Sequence, residues 1–269
     1  TRYWFHSLRS YIIVCGSNLG DMVTFTFWIT LALTPIAGDG ASIFNAIYKR
    51  LAERLVITDR KGIKHKLVDA SSIEATNPFY EWWMWKHLKP KTGDVFVDVG
   101  AHIGKYSLSI AKMVGELGKV IAIEPCPDNF RALVNGISLN KLSNVTTLKL
   151  AAWKESSILP LYVSSESCLH SLKTRSHRKC IVRARTLDRI AEESKLKHID
   201  WVKIDVEGAE YEVLLGFMEG IKKFRPRIIL ECFPHNLERV IGLFKELNYN
   251  LEPIEETREY YIACYGRSS

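Results

Sequence analysis

The sequence predicts an α/β fold in which a parallel sheet is covered by helices on both faces. After residue 90, short apolar segments with strand character alternate with segments whose apolar residues recur at helical spacing. The 269 residues are 47% hydrophobic and 25% charged, which is enough apolar material for a core and excludes a wholly disordered, collagenous or coiled-coil chain. Parallel sheets bind ligands at the carboxyl ends of their strands, so the functional residues are expected there.

The first 90 residues are predicted to form an N-terminal helical and hairpin extension, and residues 91–269 the α/β domain, because a polar turn at 89–94 separates them. Residues 22–37 are the most apolar stretch, yet shorter than the ~20 residues that a membrane-spanning helix needs. They are expected to form a buried or lid helix, or alternatively a helix lying on a membrane surface.

Three further elements are predicted within this extension. Helical spacing covers 41–55, and a hairpin covers 55–68 with Gly62 in its turn. A helix is predicted over 77–88, with Asn77 as its cap, because Pro78 suits the first helical position. Its apolar face would consist of Phe79, Trp82, Trp83 and Leu88.

The α/β domain is predicted to contain alternating strands and helices. The strands are expected at 95–99, 119–123, 145–153, 201–206, 227–232 and 260–265. The helices are expected at 106–114, 130–137, 211–217 and 237–247.

The ends of the first two strands carry glycines and acids that suit ligand binding. Gly100 and Gly104 follow the first strand and allow backbone to approach a ligand near free N–H groups of the next helix. Glu124 ends the second strand, where a carboxylate can accept hydrogen bonds from ribose hydroxyls. Asp98 lies inside an apolar run and therefore needs a partner, either turn amides or a cationic ligand group. The G-x-x-x-G spacing differs from the G-x-G-x-x-G of dinucleotide enzymes, which disfavours a nicotinamide dehydrogenase.

Four sequence blocks resemble the FkbM family of class I S-adenosylmethionine-dependent methyltransferases. The resemblance covers roughly 95–231 and is carried by VFVDVGAHIGKYS (95–107), VIAIEPCPDNFRALVNGISLN (120–140), ARTLDRI (184–190) and VKIDVEGAEYEVLLG (202–216). It implies a Rossmann-like fold with a late reversed strand, S-adenosylmethionine as cofactor, and methyl transfer to a hydroxyl of a small molecule, sugar or lipid head group. The extension matches no family pattern and is expected to determine substrate choice.

The resemblance also implies a role for particular residues. Those next to the cofactor's methionine part would be Asp98, Gly100, Ala101, His102 and Gly104. Glu124 and Pro125 would lie at the ribose, Ala151, Ala152 and Trp153 near the adenine, and Asp205 beside the reacting centre.

Methylation of an alcohol requires a base or a metal, because an alcohol is a poor nucleophile. The candidates at the fourth and fifth strand ends are Asp205 first, then Glu207 and Glu231, with His235 in the following loop. No metal is the preferred expectation, although two carboxylates and an imidazole from Asp205, Glu231 and His235 would suit a divalent ion.

The net charge of +7 and a basic stretch permit an anionic partner. The stretch contains Lys173, Arg175, Arg178, Lys179, Arg183, Arg185 and Arg189. A solvated hairpin face is the preferred interpretation, and nucleic acid is disfavoured because no aromatic residues are interleaved. An RNA methyltransferase and a non-catalytic module that docks on membranes through 22–37 are the alternatives.

The six dispersed cysteines contain no C-x-x-C pair, which disfavours a zinc or disulfide framework. With no secretory-leader pattern at the start, a cytoplasmic location is predicted, with possible membrane association through 22–37. The oligomeric state does not follow from the sequence.

Overall fold

The computed structural model describes residues 55–77, 79–164, 167–173 and 178–266, all within a unit that spans Glu53–Ser269. The apolar stretch 22–37 and nearly all of the predicted helix at 41–55 lie outside the described residues. The predicted domain boundary near residue 90 stays a prediction.

The described part begins with the predicted hairpin, whose strands β1 (Val56–Thr58) and β2 (Lys64–Lys66) pair antiparallel. Asp59 shapes the turn, because its Oδ1 accepts the backbone N–H groups of Lys61 and Ile63 at 2.8 and 2.9 Å. The turn also needs Gly62, which has φ 71°. Helix α1 (Ala70–Thr76) follows the hairpin.

The helix predicted over 77–88 is wrong for most of its length, since only α2 (Met84–His87) is helical. The Asn77 side chain accepts the Phe79 N–H at 2.9 Å in a local turn, and Glu81 has φ 53°, which no continuing helix allows. Its carboxylate is held there by Lys105 Nζ at 2.7 Å and Tyr106 OH at 2.5 Å. Tertiary contacts therefore override the local helical pattern.

Ten further strands follow within the described residues, and seven of them form the central sheet. They are β3 (Val95–Val99), β4 (Lys119–Ile123), β5 (Val145–Leu148), β6 (Ala151–Ala152), β7 (Ser157–Val163), β8 (Arg178–Arg185), β9 (Trp201–Ile204), β10 (Arg227–Glu231), β11 (Tyr249–Pro253) and β12 (Tyr260–Tyr265). The central sheet has the order β11-β12-β10-β9-β3-β4-β5. Strand β12 runs antiparallel to both of its neighbours, while the pairs from β10 to β5 are parallel. The predicted α/β class and the late reversed strand are confirmed.

The strand predicted over 145–153 is wrong in one respect, because it is two strands in two sheets. The chain leaves the central sheet after β5, and β6 joins a second sheet of order β6-β8-β7. The inward side chains of this sheet form a core of their own around Leu161, Val182 and Ala184. An apolar run alone does not reveal which neighbour a strand selects.

Helices cover both faces of the central sheet, as predicted. They are α3 (Lys105–Val114), α4 (Pro127–Leu139), α5 (Leu187–Glu193), α6 (Glu210–Leu215), α7 (Met218–Phe224) and α8 (Pro234–Glu246). Val95, Val97 and Val99 of β3 pack on one side in the core that also contains α5 to α8. Phe96 points to the other side and packs with Tyr106 of α3.

Within the described residues, no helix combines the length and apolarity needed to cross a bilayer. The five cysteines in this part of the chain are all free thiols.

Candidate active site

One cavity of about 340 Å³ opens at the carboxyl ends of β3, β4, β9 and β10. This is the sheet edge at which the sequence placed the functional residues, and the volume is in the range of small-molecule sites. The residues singled out from the sequence that line it are Gly100, Ala101, His102, Glu124, Pro125, Ala151, Ala152, Asp205, Glu207 and Glu231.

Glu124 anchors the two loops that border the cavity. Its Oε2 accepts the backbone N–H of His102, and its Oε1 accepts that of Cys126, both at 2.8 Å. Burial raises the pKa of the carboxyl to about 7, although these hydrogen bonds oppose the rise. Each oxygen has a second lone pair, so the group can still accept hydrogen bonds from a ligand's hydroxyls.

The His102 side chain points to a polar cluster at the edge of the cavity, formed with Ser167 and Asp69. Its Nε2 lies 2.7 Å from Ser167 Oγ, which also contacts Asp69 Oδ1 at 2.8 Å. Burial lowers the pKa of His102 to about 4, so the imidazole is neutral at pH 7. Neither Asp69 nor Ser167 was predicted, because both belong to segments outside the motif blocks.

Gly100 allows the first strand end to touch the fourth. It has φ 79°, and a Cβ atom at this position would lie 1.8 Å from the backbone oxygen of Asp205. The two strand ends therefore approach each other more closely than any residue with a side chain at position 100 would allow.

Gly100→Ala is expected to lower the free energy of unfolding by at least about 2 kcal/mol, from both the left-handed conformation and the collision. Urea denaturation measures this loss. The matched control is Gly242→Ala within α8, where a Cβ would meet nothing within 4 Å, and which should stabilise the chain by about 0.5–1 kcal/mol. Equal effects of the two substitutions would contradict the role given to Gly100.

A buried lysine that the sequence reasoning missed lies between two of the predicted acids. Lys203 is 2% exposed, and its Nζ lies 3.1 Å from Asp205 Oδ2 and 3.5 Å from Asp98 Oδ1. It also donates to the backbone oxygen of Gly100 at 3.2 Å. Although burial opposes its charge, the two carboxylates keep the pKa of Lys203 above its usual value, so it is a cation.

Asp98 therefore finds its partners inside the protein. Ser107 Oγ donates to its Oδ2 at 2.5 Å, and Lys203 faces the other oxygen. Complete burial raises the pKa of Asp98 despite Lys203. At Asp205 the pKa shifts in the other direction. Burial acts to raise it, but Lys203 lies closer to Asp205 than to Asp98 and holds the pKa of Asp205 below its usual value. Asp98 does not line the cavity, and its side chain contacts Ser107 and Lys203.

The fourth strand end presents Glu207 in a strained turn. Glu207 has φ 54° and Gly208 has φ 97°, and the Glu207 backbone oxygen accepts a hydrogen bond from Ser171 Oγ at 2.7 Å. Non-glycine residues in this conformation are often found at functional sites. Burial and the charges of Asp205 and Glu210 raise the pKa of Glu207 to about 8.

Glu231 enters the same space from β10. Burial and the neighbouring charges of Asp205 and Glu207 raise its pKa to about 10, so it is protonated at pH 7. Carboxylate oxygens of the three acids lie within 4.8 Å of one another, a spacing that could hold a cation. His235 does not belong to this group, because it is exposed and stacks on Phe233 with ring centroids 6.1 Å apart.

Two more predicted residues lie away from the cavity wall. Gly104 begins α3, and a Cβ there would lie 2.7 Å from the Leu133 side chain, so this glycine permits helix packing. Trp153 packs against the core of the second sheet, and its backbone N–H donates to the backbone oxygen of Arg185 at 2.8 Å.

Several aromatic and charged residues of the wall were also missed. Tyr260 OH lies 3.1 Å from Asp205 Oδ2 and 3.3 Å from Glu81 Oε1, which links β12 to the turn after Asn77. For Lys203, the sequence offered one signal: Lys203 and Asp205 occupy alternate positions along an apolar segment, which places both on one face. The other aromatic and charged members include Tyr80, Glu81, Trp83, Lys105, Tyr106 and Glu259.

The basic stretch is partly neutralised. Lys173 Nζ lies 2.6 Å from Glu212, and both Arg185 and Arg189 pair with Glu193. Lys179 and Arg183 are exposed on β8, in agreement with a solvated strand face.

A model of the methyltransferase FkbM domain matches residues 98–251, more than half of the chain. The chain belongs to the FkbM methyltransferase family. The match runs from the end of β3 into β11 and includes each of the four strand ends that border the cavity. The resemblance seen in the sequence blocks is thereby confirmed.

Individual relatives are distant from this FkbM family member. The curated protein Methyltransferase 1 of Beauveria bassiana (strain ARSEF 2860) is 25% identical over 142 residues, covering 45% of this chain and 57% of that protein. The chain thus spans little more than half the length of that relative.

Solved structures with a similar fold have lower sequence identity to this chain. Methyltransferase FkbM from Methylobacillus flagellatus KT has a TM-score of 0.49 and 16% identity, covering 91% of this chain and 60% of that one. A SAM-dependent O-methyltransferase from Thermotoga maritima has a TM-score of 0.44 and 15% identity, covering 80% and 78%. Aeropyrum pernix fibrillarin with bound S-adenosyl-L-methionine has a TM-score of 0.41 and 13% identity, covering 65% and 67%.

Proposed function

We propose that the chain binds S-adenosylmethionine in the cavity and transfers its methyl group to a hydroxyl of a small molecule, sugar or lipid head group. Membership of the FkbM family supports methyl transfer. Four strand ends that open into one cavity support a site with separate positions for a cofactor and an acceptor.

The chemistry of the cavity wall suits this cofactor. The Glu124 carboxylate would hold the ribose hydroxyls, and the apolar side chains of Ile123, Ala152 and Leu161 offer a surface for the adenine. The Asp205 carboxylate, and that of Glu207 once it is ionised, would attract the cofactor's positively charged groups. Both halves of the wall therefore match a nucleoside that carries an amino acid and a positive charge.

The chain's own part in the reaction is to orient the acceptor and remove its proton. When bound, the cofactor supplies an electrophilic methyl group on its sulfonium. Glu207 is the proposed base, because its ionised form is available near neutral pH and it lines the cavity. Asp205, which is ionised and fixed by Lys203 and Tyr260, would orient the acceptor hydroxyl. Protonated Glu231 would donate a hydrogen bond to the bound acceptor.

The single observation that carries the proposal is that Glu124 shares one cavity with Asp205 and Glu207. Isothermal titration with S-adenosylhomocysteine tests the cofactor, and absence of binding would reject it. Mass spectrometry of cell extracts incubated with the chain and a labelled methyl donor would identify the acceptor and the methylated atom. Labelling of nitrogen or of RNA in place of a hydroxyl would overturn the acceptor class.

Glu124→Ala is expected to weaken S-adenosylhomocysteine binding by about 10- to 100-fold, as expected for lost hydrogen bonds to a charged group. Titration calorimetry measures the change, and Glu155→Ala on an exposed loop is the matched control. Unchanged affinity in Glu124→Ala, with an unchanged thermal transition, would remove Glu124 from the cofactor site.

A further inference from the structure

One surface outside the cavity exposes large apolar side chains close to one another. Phe79 is 55% exposed, Trp82 is 49% exposed and Met113 is 40% exposed. Large aromatic residues are usually more buried than this, so a surface that exposes two of them within four positions calls for a partner.

Cationic side chains lie directly on these aromatic rings. The Arg60 guanidinium is 5.2 Å from the Phe79 ring centroid, and Lys86 Nζ is 4.5 Å from that of Trp82. Lys61 Nζ is 3.1 Å from the Trp85 ring centroid. Through these contacts, Arg60 and Lys61 of the hairpin turn meet the segment 79–86.

An apolar groove of about 480 Å³ continues this surface. Its lining is mostly apolar, and every charged residue in it is a lysine. The lining residues are Lys61, Ile63, Trp85, Leu88, Lys89, Pro90, Ser109, Lys112 and Met113. Such a groove suits the acyl region of an amphipathic anion, with its head group near the ammonium groups.

Positive charge predominates on this surface. Among the described residues, the acids beside it include Glu256, which pairs with Lys86 and His87, and Asp59, which accepts the backbone N–H of Lys61 and pairs with His65. Glu81, next to Trp82 in the chain, pairs with Lys105. Against them stand five cations. We call this surface the aromatic–lysine face; it comprises Phe79, Trp82, Trp85 and Met113 with Arg60, Lys61, Lys86, Lys89 and Lys112.

We propose that the aromatic–lysine face docks the chain on a bilayer that contains anionic phospholipids. Tryptophan and phenylalanine favour the membrane interface, and lysine extends its ammonium toward head groups while its stem lies on apolar surface. Each basic residue near an anionic leaflet adds to the attraction. This docking is separate from the predicted contact through 22–37 and does not depend on the proposed methyl transfer.

Docking would also place the cavity beside the head groups. The turn after Asn77 supplies both surfaces, since Phe79 and Trp82 are exposed while Tyr80, Glu81 and Trp83 line the cavity. A head-group hydroxyl on a docked membrane would therefore be near the cavity mouth.

Vesicle co-sedimentation of the full chain tests the proposal, with vesicles of phosphatidylcholine alone or mixed with phosphatidylserine. We expect binding to the mixed vesicles and little to the neutral ones. Lys89→Glu with Lys112→Glu should weaken the partition coefficient at least about 25-fold, since one basic residue is worth about fivefold. Phe79→Ser with Trp82→Ser should weaken it more than about tenfold. An unchanged thermal transition would show that each variant is folded.

The matched control alters the other exposed basic surface, with Lys179→Glu and Ile181→Ser on β8, where Ile181 is 67% exposed. It should bind like the unaltered chain. Equal binding to neutral and mixed vesicles, or loss of binding in the control while the face variants bind normally, would overturn the proposal. The proposal would also be overturned if Trp28→Asp, within the stretch 22–37, abolished vesicle binding while the variants of the aromatic–lysine face bound normally.

Discussion

Lys203→Met is expected to lower the free energy of unfolding by about 3–5 kcal/mol and to abolish methyl transfer. The lysine is buried beside Asp98 and Asp205, and methionine fills a similar volume without the charge. Loss of the lysine ammonium would leave the Asp205 carboxylate without its counter-charge in the cavity wall, and would break the network that fixes Asp205. Urea denaturation measures the stability, and labelled-methyl transfer measures the activity.

A double substitution separates lost charge from lost packing. Lys203→Met combined with Asp205→Asn removes both members of the closer ion pair, and should recover part of the stability while leaving activity low. Lys203→Arg retains the charge in a larger group and should lose less stability than the methionine variant. A methionine variant that unfolds like the unaltered chain would show that the ion pairs contribute no net stability.

Glu207→Gln is expected to lower kcat by about 10²- to 10⁴-fold, as for loss of a general base, with unchanged S-adenosylhomocysteine affinity. Glutamine keeps the size of the side chain and cannot take up a proton. Glu255→Gln is the matched control, because Glu255 is exposed and lies outside the cavity wall. Retained activity in Glu207→Gln together with loss in Glu231→Gln would move the base to Glu231.

The pH profile gives Glu207 a signature that a structural role would lack. The base acts only when ionised, and its pKa is raised to about 8. The rate should therefore rise about tenfold per unit as the pH approaches 8 from below, and level off above it. In Glu207→Gln this inflection should disappear.

The glycine and the acids at the strand ends could be predicted because they are local signals, whereas most of the other lining residues could not. Gly100 follows directly after a buried strand, and Glu124 follows directly after the next one, so each motif marks a strand end without knowledge of the rest. In a parallel sheet those ends meet at one edge. The helix expected after Asn77 failed because Glu81 takes its conformation from Lys105 and Tyr106, which lie outside any local window.

The sequence by itself determined the α/β class, the FkbM resemblance and the edge of the sheet at which the chemistry lies. Only the tertiary structure decided which acids are free to act. Asp98 and Lys203 are register partners on adjacent strands, and Asp205 lies two residues further along the same face. The sequence alone does not reveal which acid a lysine in an apolar strand will pair with, because that depends on which strands become neighbours in the sheet. Asp98 is fully buried and paired with Lys203, whereas Glu207 faces the cavity.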